Sequence, residues 1–179
     1  MKWVTRDHLH LDRVACPWLI RRFIDSNPEF IFVKWGQEDS RPKDAIPFAI
    51  PGVELGPHDD DGTTFEKFIK KYELSDPALS IMGPIVGSGV HHALHKGKED
   101  ENDVPALEGI GLDAISEGMM LTTDGDMDNL DKSMGIYDAI YAYCKLQVLK
   151  SEDSSLTGKS LMQLSDLLKP VIKTALSGK

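Results

Sequence analysis

Apolar and polar positions follow two different periods along the chain, and the change from one to the other falls near residue 60. Lys2-Trp3-Val4-Thr5 and Phe30-Ile31-Phe32-Val33-Lys34-Trp35 are short aromatic and β-branched runs, the second closed by Gly36, and both read as strands. Ala45 to Ile50 reads as a third strand, at a sheet edge because Pro47 has no amide hydrogen for a ladder. Between the first two strands, Val14, Trp18, Leu19, Ile20, Phe23 and Ile24 form an apolar stripe at helical spacing that ends at Asn27-Pro28. Pro17 removes one donor inside this stripe, so the helix either begins near it or is kinked there; a start close to Cys16 is expected. Asp12 stands where it can accept hydrogen bonds from the free amides of that helix's own first turn.

From Asp76 onward the pattern is helical almost throughout, and one further helix precedes it. Thr63-Thr64-Phe65-Glu66 predicts a helix start in which Thr63 caps and Glu66 reaches back, with Phe65, Phe68, Ile69 and Tyr72 on the buried face. Asp76-Pro77 opens a helix through Ile85 and Val86, and Gly87-Ser88-Gly89 predicts a hinge into another helix around His91 to Lys96. After a charged loop from Lys98 to Asp103, three further helices are expected over Leu107–Leu121, Met127–Lys150 and Ser160–Leu176. Leu130, Met134, Tyr137, Ile140, Tyr141 and Cys144 give the second of these a core stripe. The expected fold is α+β, a small sheet of about three strands packed against a predominantly helical portion. Residues 1–150 read as the domain, and 151–179 as a linker, flexible from Ser151 to Gly158, with an appended C-terminal helix.

Composition narrows the class without naming a chemistry. With 179 residues, 41% hydrophobic and 27% charged, the chain fits one ordinary globular domain. No run approaches the roughly 18 apolar residues of a membrane span, and the N-terminus has no signal-peptide core, so a cytoplasmic protein with no membrane partner is expected. Cys16 and Cys144 are too few for a disulfide framework and are expected to be free thiols. The net charge of −9, with no Lys/Arg tract, repels a phosphate backbone, so nucleic acid is not an expected partner.

Candidate chemistry gathers in three places. Asp12-Arg13-Val14-Ala15-Cys16-Pro17-Trp18-Leu19-Ile20-Arg21-Arg22-Phe23-Ile24-Asp25 crowds three guanidinium groups and a thiol onto one short helix. Arg13, Arg21, Arg22 and Cys16 are therefore candidate ligand-binding groups for an oxyanion, since a helix N-terminus adds free amides of the same sign. The plainer reading pairs Arg21 and Arg22 with Asp25 and other surface acids, and leaves Cys16 a buried inert thiol. His58, followed by Asp59, Asp60, Asp61 and Glu66, offers an imidazole and carboxylates to Zn, Fe or Mn; the plainer reading is a solvated acidic turn and a capping Glu66. In His91-His92-Ala93-Leu94-His95, the first and last imidazoles lie one helical turn apart and can chelate one ion; surface histidines are the plainer reading. Asp124-Gly125-Asp126-Met127-Asp128 is not a calcium loop, because its Gly is misplaced and its twelfth position is Gly135.

The string from Asp12 to Asp25 resembles the signature of the chromate-resistance protein family, specifically the ChrB C-terminal domain. Ala45-Ile46-Pro47-Phe48-Ala49-Ile50-Pro51-Gly52-Val53-Glu54-Leu55-Gly56 and Tyr137-Asp138-Ala139-Ile140-Tyr141-Ala142 carry the same likeness, which spans about Met1 to Leu146. The resemblance implies a role linked to chromate resistance. Longer relatives act as chromate-responsive regulators and carry an additional N-terminal domain, so a stand-alone domain is expected here rather than a DNA-binding repressor. Many relatives have a His-Gly-Gly loop ending in Cys before Phe-Glu or Phe-Asp; here His58 and Phe65-Glu66 are kept and the thiol is not.

The leading expectation is a domain that binds a transition metal or an oxyanion such as chromate, with His58, Glu66 and Asp12 as metal ligands and Arg13 as the anion contact. A metal-dependent redox or hydrolytic enzyme is the alternative, with Asp138 or Tyr137 as acid or base. A third class is an interaction protein that forms a homo-oligomer through the C-terminal helix. The first two place a shared polar cavity where the Asp12 helix meets the His58 loop.

Overall fold

The computed structural model describes residues 1–177. A three-stranded parallel sheet has the order β2-β1-β3, with β1 Lys2–Arg6 central, β2 Glu29–Val33 on one side and β3 Ile46–Pro47 on the other. Trp3, Val4 and Thr5 are all fully buried, because a central parallel strand is covered on both faces. On one face Trp3 joins the main core with Phe30 and Phe48, while on the other Val4 and Val33 pack with Ala45 and Ile50. The third strand is an edge, as Pro47 requires, but only two residues long.

Helix α1, Asp12–Leu19, connects β1 to β2 and begins at Asp12 rather than near Cys16. Pro17 lies inside it, and removing one donor from a helix interior costs about 3 kcal/mol. Trp18, Leu19 and Ile20 are each fully buried, and burying each such side chain returns about 1.5–3 kcal/mol, so tertiary packing outweighs the local defect. The last turn widens into a π-helix over Ile20–Ile24, closed by the amide of Asp25 donating to the carbonyl of Ile20.

Helix α2, Thr64–Lys71, has both halves of the expected capping box at Thr63 and Glu66. Helix α3, Pro77–His95, is continuous, and the expected hinge at Gly87-Ser88-Gly89 is absent. The small residues serve a close helix crossing instead. A Cβ at Gly109 of helix α4, Glu108–Thr122, would lie 2.5 Å from the Ser88 Cβ and 2.6 Å from the Gly89 nitrogen. Helix α5, Asp126–Glu152, buries Leu130, Tyr137, Tyr141 and Cys144 as its stripe predicts, and Met134 and Ile140 pack at the margin. A short 3₁₀ turn, Ser154–Leu156, interrupts the expected linker and buries Leu156. Helix α6, Leu161–Leu176, folds back so that Leu164 and Leu168 form a small cluster with Leu156, Leu146 and Leu149. No described helix is long and apolar enough to cross a membrane.

Candidate functional site

The starts of α1 and α2 do meet, through a different bond from the one the sequence predicts. The Asp12 carboxylate accepts from the amides of Thr64 and Phe65, at 2.8 and 2.9 Å, and so caps α2 instead of its own helix. Burial pushes the Asp12 carboxyl up, against the pull of those two amides. The Cys16 thiol lies 3.5 Å from the same carboxylate, fully buried, and burial with the neighbouring charge pushes it well above its ordinary range. It is a packed thiol and not a thiolate.

The remaining predicted metal ligands point elsewhere. One oxygen of Glu66 accepts from the amide and hydroxyl of Thr63. His58 is exposed, and the following turn is tied down by the ion pair of Asp59 with Lys67 at 2.6 Å. Among the described residues, His58, Glu66 and Asp12 do not form a group with ligand atoms within 4.8 Å of one another, whereas His91, His95 and Asp100 do.

Trp18 of α1, the two arginines of the π-helical turn after it and the late-helix acid lock this segment to α5. Arg22 grips Asp138 with two bonds, 2.9 Å from Nε and 2.6 Å from Nη2, and the Trp18 indole donates to the same carboxylate at 2.8 Å. Arg21 pairs with Asp131 at 2.8 Å. The expected partner Asp25 instead takes the N-terminal ammonium and the Trp3 indole. The Tyr137 hydroxyl donates to the carbonyl of Leu11, and burial raises its pKa well above the ordinary phenol range.

That Leu11 contact leads to the part of the molecule with the least satisfied charges. The loop from β1 to α1 contains two non-glycine residues with positive φ, His8 at 59° and Leu11 at 44°. For a branched residue such as Leu11 this is strained backbone, costing about 1–3 kcal/mol, and it persists only where surroundings over-determine it. Here the Leu11 amide donates to Ser116 Oγ and its carbonyl accepts from Tyr137, while Asp126 accepts from the amides of His8 and Leu9. The loop is thus held from α4 and α5 at the carboxyl end of β1. Strand order reverses around that strand, the place where open parallel sheets bind ligands.

A cavity of about 440 Å³ opens there, lined by His8, His10, Arg13, Trp35, Glu117 and Met120. The Arg6 guanidinium stacks 3.7 Å from the Trp35 ring centre and that of Arg13 lies 5.3 Å from it, so one exposed indole is flanked by two cations. Burial, and then the proximity of Arg6, lower the Arg13 pKa; burial lowers that of Arg6. Arg13 donates to the His8 carbonyl but makes no ion pair within 4.0 Å among the described residues. The Nε of Arg6 is buried without a hydrogen-bond partner, and the Glu38 carboxylate lies 3.8 Å from Nη1 of the same guanidinium.

Behind the cavity sits Asp113, fully buried on α4, with His10 Nε2 at 3.2 Å, His92 Nδ1 at 2.8 Å and Lys96 Nζ at 2.9 Å. The His10 approach is close but out of hydrogen-bonding alignment, which leaves both facing atoms without a partner. Burial lowers the His10 pKa against the attraction of Asp113, while the hydrogen bonds that Lys96 donates to Glu117 and Asp113 raise its own. Two apolar grooves, about 350 Å³ between α5 and α6 and about 720 Å³ along α4 and α5, are mostly aliphatic and suit packing rather than chemistry.

Sequence reasoning named Arg13 but missed Arg6, Trp35, Asp113, Lys96 and Glu117 as its neighbours. The one available signal was Asp113 itself, a carboxylate set between Leu112 and Ala114 in a helix rich in glycine and aliphatic residues.

The chain matches the family model described as ChrB, C-terminal domain, over residues 3–144. It belongs to that family. The ChrB C-terminal domain match runs from β1 into α5, and so takes in the cavity, the Asp113 cluster and the Arg22–Asp138 clamp, while α6 lies beyond it. Protein ChrB of Cupriavidus metallidurans is 33% identical over 145 residues, 79% of this chain. The chain spans 40% of that relative's length. No solved structure matches the chain.

Proposed function

We propose that this is a cytoplasmic, chromate-resistance-associated domain that binds a small tetrahedral oxyanion, chromate being the leading candidate, in the cavity off the carboxyl end of β1. Family membership supports the association with chromate resistance. The observation that carries the binding reading is the pair Arg6 and Arg13: two guanidinium groups on one indole, with no carboxylate closing on Arg13. Arginine does not deprotonate to relieve such repulsion, so the pair remains charged until an anion neutralises it. Chromate carries two negative charges at neutral pH, and planar guanidinium groups bind such oxygens through parallel N–H bonds. The contrast with Arg21 and Arg22, each already paired on α5, makes Arg13 the contact of choice. The net charge of −9 opposes anions at long range, so recognition is local and weakens as salt rises.

Calorimetric titration of chromate into the full chain, compared with Arg13→Gln and Arg21→Gln, tests this reading. Binding lost in the first and retained in the second supports it; equal binding in both refutes it. The catalytic alternative has less to stand on, because the polar atoms of Asp138 and Tyr137 hold α1 and the Leu11 loop in place. A second reading, self-association through α6, draws on its exposed Leu161, Met162, Leu167 and Val171. Sedimentation showing a monomer at all concentrations removes it.

A further inference from the structure

We infer that the carboxyl end of α3 is a divalent transition-metal site, formed by His91, His95 and Asp100, that takes a borderline ion such as zinc. One ligand atom from each residue lies within 4.8 Å of the other two, and it is the His/Cys/Asp/Glu group of this kind found among the described residues. The site is distinct from the arginine cavity and from the neighbouring His92, whose ring lies between Asp113 and Glu101.

Local sequence builds it in three steps. The four-residue spacing puts His91 and His95 on one helical face, with rings stacked at 4.0 Å between centres and 17° between planes. The chain then reverses through Lys96-Gly97, where the Lys98 amide donates to the His95 carbonyl at 2.9 Å.

 Gly97 has a φ of 77°, the left-handed value that the third position of a type II turn requires. Finally, the loop folds back over the helix end, where the Gly97 amide donates to the Glu101 carboxylate and the Lys98 ammonium to the Leu94 carbonyl. Asp100 is thereby carried to the histidine pair, its carboxylate 3.6 Å from His95 Nε2.

The hydrogen bonds already made by the two rings prepare them as ligands. His95 Nδ1 lies 2.8 Å from the His91 carbonyl, and His91 Nε2 lies 2.9 Å from the Asp100 carbonyl. A carbonyl oxygen only accepts, so each of those nitrogens carries the proton. That leaves one lone-pair nitrogen on each ring, Nδ1 of His91 and Nε2 of His95, and fixes ring orientation as outer-shell bonds do in metal sites. The last carbonyls of α3 add the negative end of the helix dipole, which favours a cation. Two imidazoles and a carboxylate suit zinc, which takes such ligands at about 2.0–2.2 Å, with a fourth position left for water.

The test is titration of the full chain, without an affinity tag, with zinc chloride by calorimetry and with cobalt chloride by visible absorption. One ion per chain is expected, with the intense cobalt bands of a tetrahedral site. His91→Ala/His95→Ala together should abolish binding, and Asp100→Asn should weaken it by more than the roughly 10–100-fold that loss of an outer-shell partner costs. All three positions are half-buried or exposed, so the variants are expected to keep their fold, and far-UV circular dichroism checks this. If the double variant misfolds, the loop variant Asp100→Asn decides alone. No binding by the wild-type chain, or undiminished binding by Asp100→Asn or by a folded double variant, overturns the assignment.

Discussion

The carboxylate of Asp12 caps the helix that begins at Thr64, accepting from its amide at 2.8 Å across a separation of 52 residues. The bond joins the crossover helix of the sheet to the helical half of the molecule, and the Phe65 amide completes it at 2.9 Å. Asp12→Ala leaves two buried donors without a partner and should cost about 2–4 kcal/mol. Reversible urea unfolding measures this, and a loss below about 0.5 kcal/mol would contradict the capping role.

A pH dependence is expected from Asp76. Burial alone would raise its pKa, but bonds from the Tyr141 hydroxyl, the Ala78 amide and Lys145 outweigh that and hold it below the ordinary value. A lowered folded-state pKa contributes stability that is complete above the unfolded value of about 4 and is lost as pH falls through the folded value. Asp76→Asn should therefore lower the melting temperature at pH 7, with the gap to wild type closing under acid. A gap that widens toward low pH would reverse the sign.

The clamp of Arg22 and Trp18 on Asp138 separates a structural role from a catalytic one. Asp138→Ala strands a guanidinium and an indole N–H and should cost about 1–3 kcal/mol while leaving oxyanion affinity unchanged below the melting temperature. Calorimetric titration alongside thermal unfolding reads both quantities. Lost affinity with unchanged stability would instead return Asp138 to the site.

Gly109 and Gly118 lie on the same helix and should respond in opposite directions. At Gly109 an added methyl would meet Ser88 Cβ, the Gly89 nitrogen and the Ile85 carbonyl within 2.6 Å, so Gly109→Ala should cost about 1–3 kcal/mol or more. Nothing lies within 4 Å at Gly118, and Gly118→Ala should stabilise by about 0.5–1 kcal/mol through helix propensity. Thermal unfolding of the two variants checks both signs.

Much of the fold was legible because local patterns and tertiary burial agree. Thr63 and Glu66 spelled out a capping box, and the α5 stripe from Leu130 to Cys144 named its own buried face. The failures lie where long-range packing overrode a local rule. Pro17 marked a helix start only until the burial of Trp18 and Leu19 is counted, and Gly87-Ser88-Gly89 read as a hinge because its reason, Gly109, is about twenty residues away. The same limit hid most of the site. Arg13 could be named from its neighbours in sequence, but its repulsion from Arg6, their shared indole at Trp35 and the buried Asp113 depend on strand order and helix crossing.

The central claim, an oxyanion bound at Arg13 in the cavity off the carboxyl end of β1, is tested most directly by locating the anion. An anomalous difference map at the chromium absorption edge, from crystals of the full chain soaked in chromate, should show its strongest peak within hydrogen-bonding distance of the Arg13 guanidinium. A strongest peak at Arg21, Arg22 or the His58 loop, with the Arg13 cavity empty, would contradict the account.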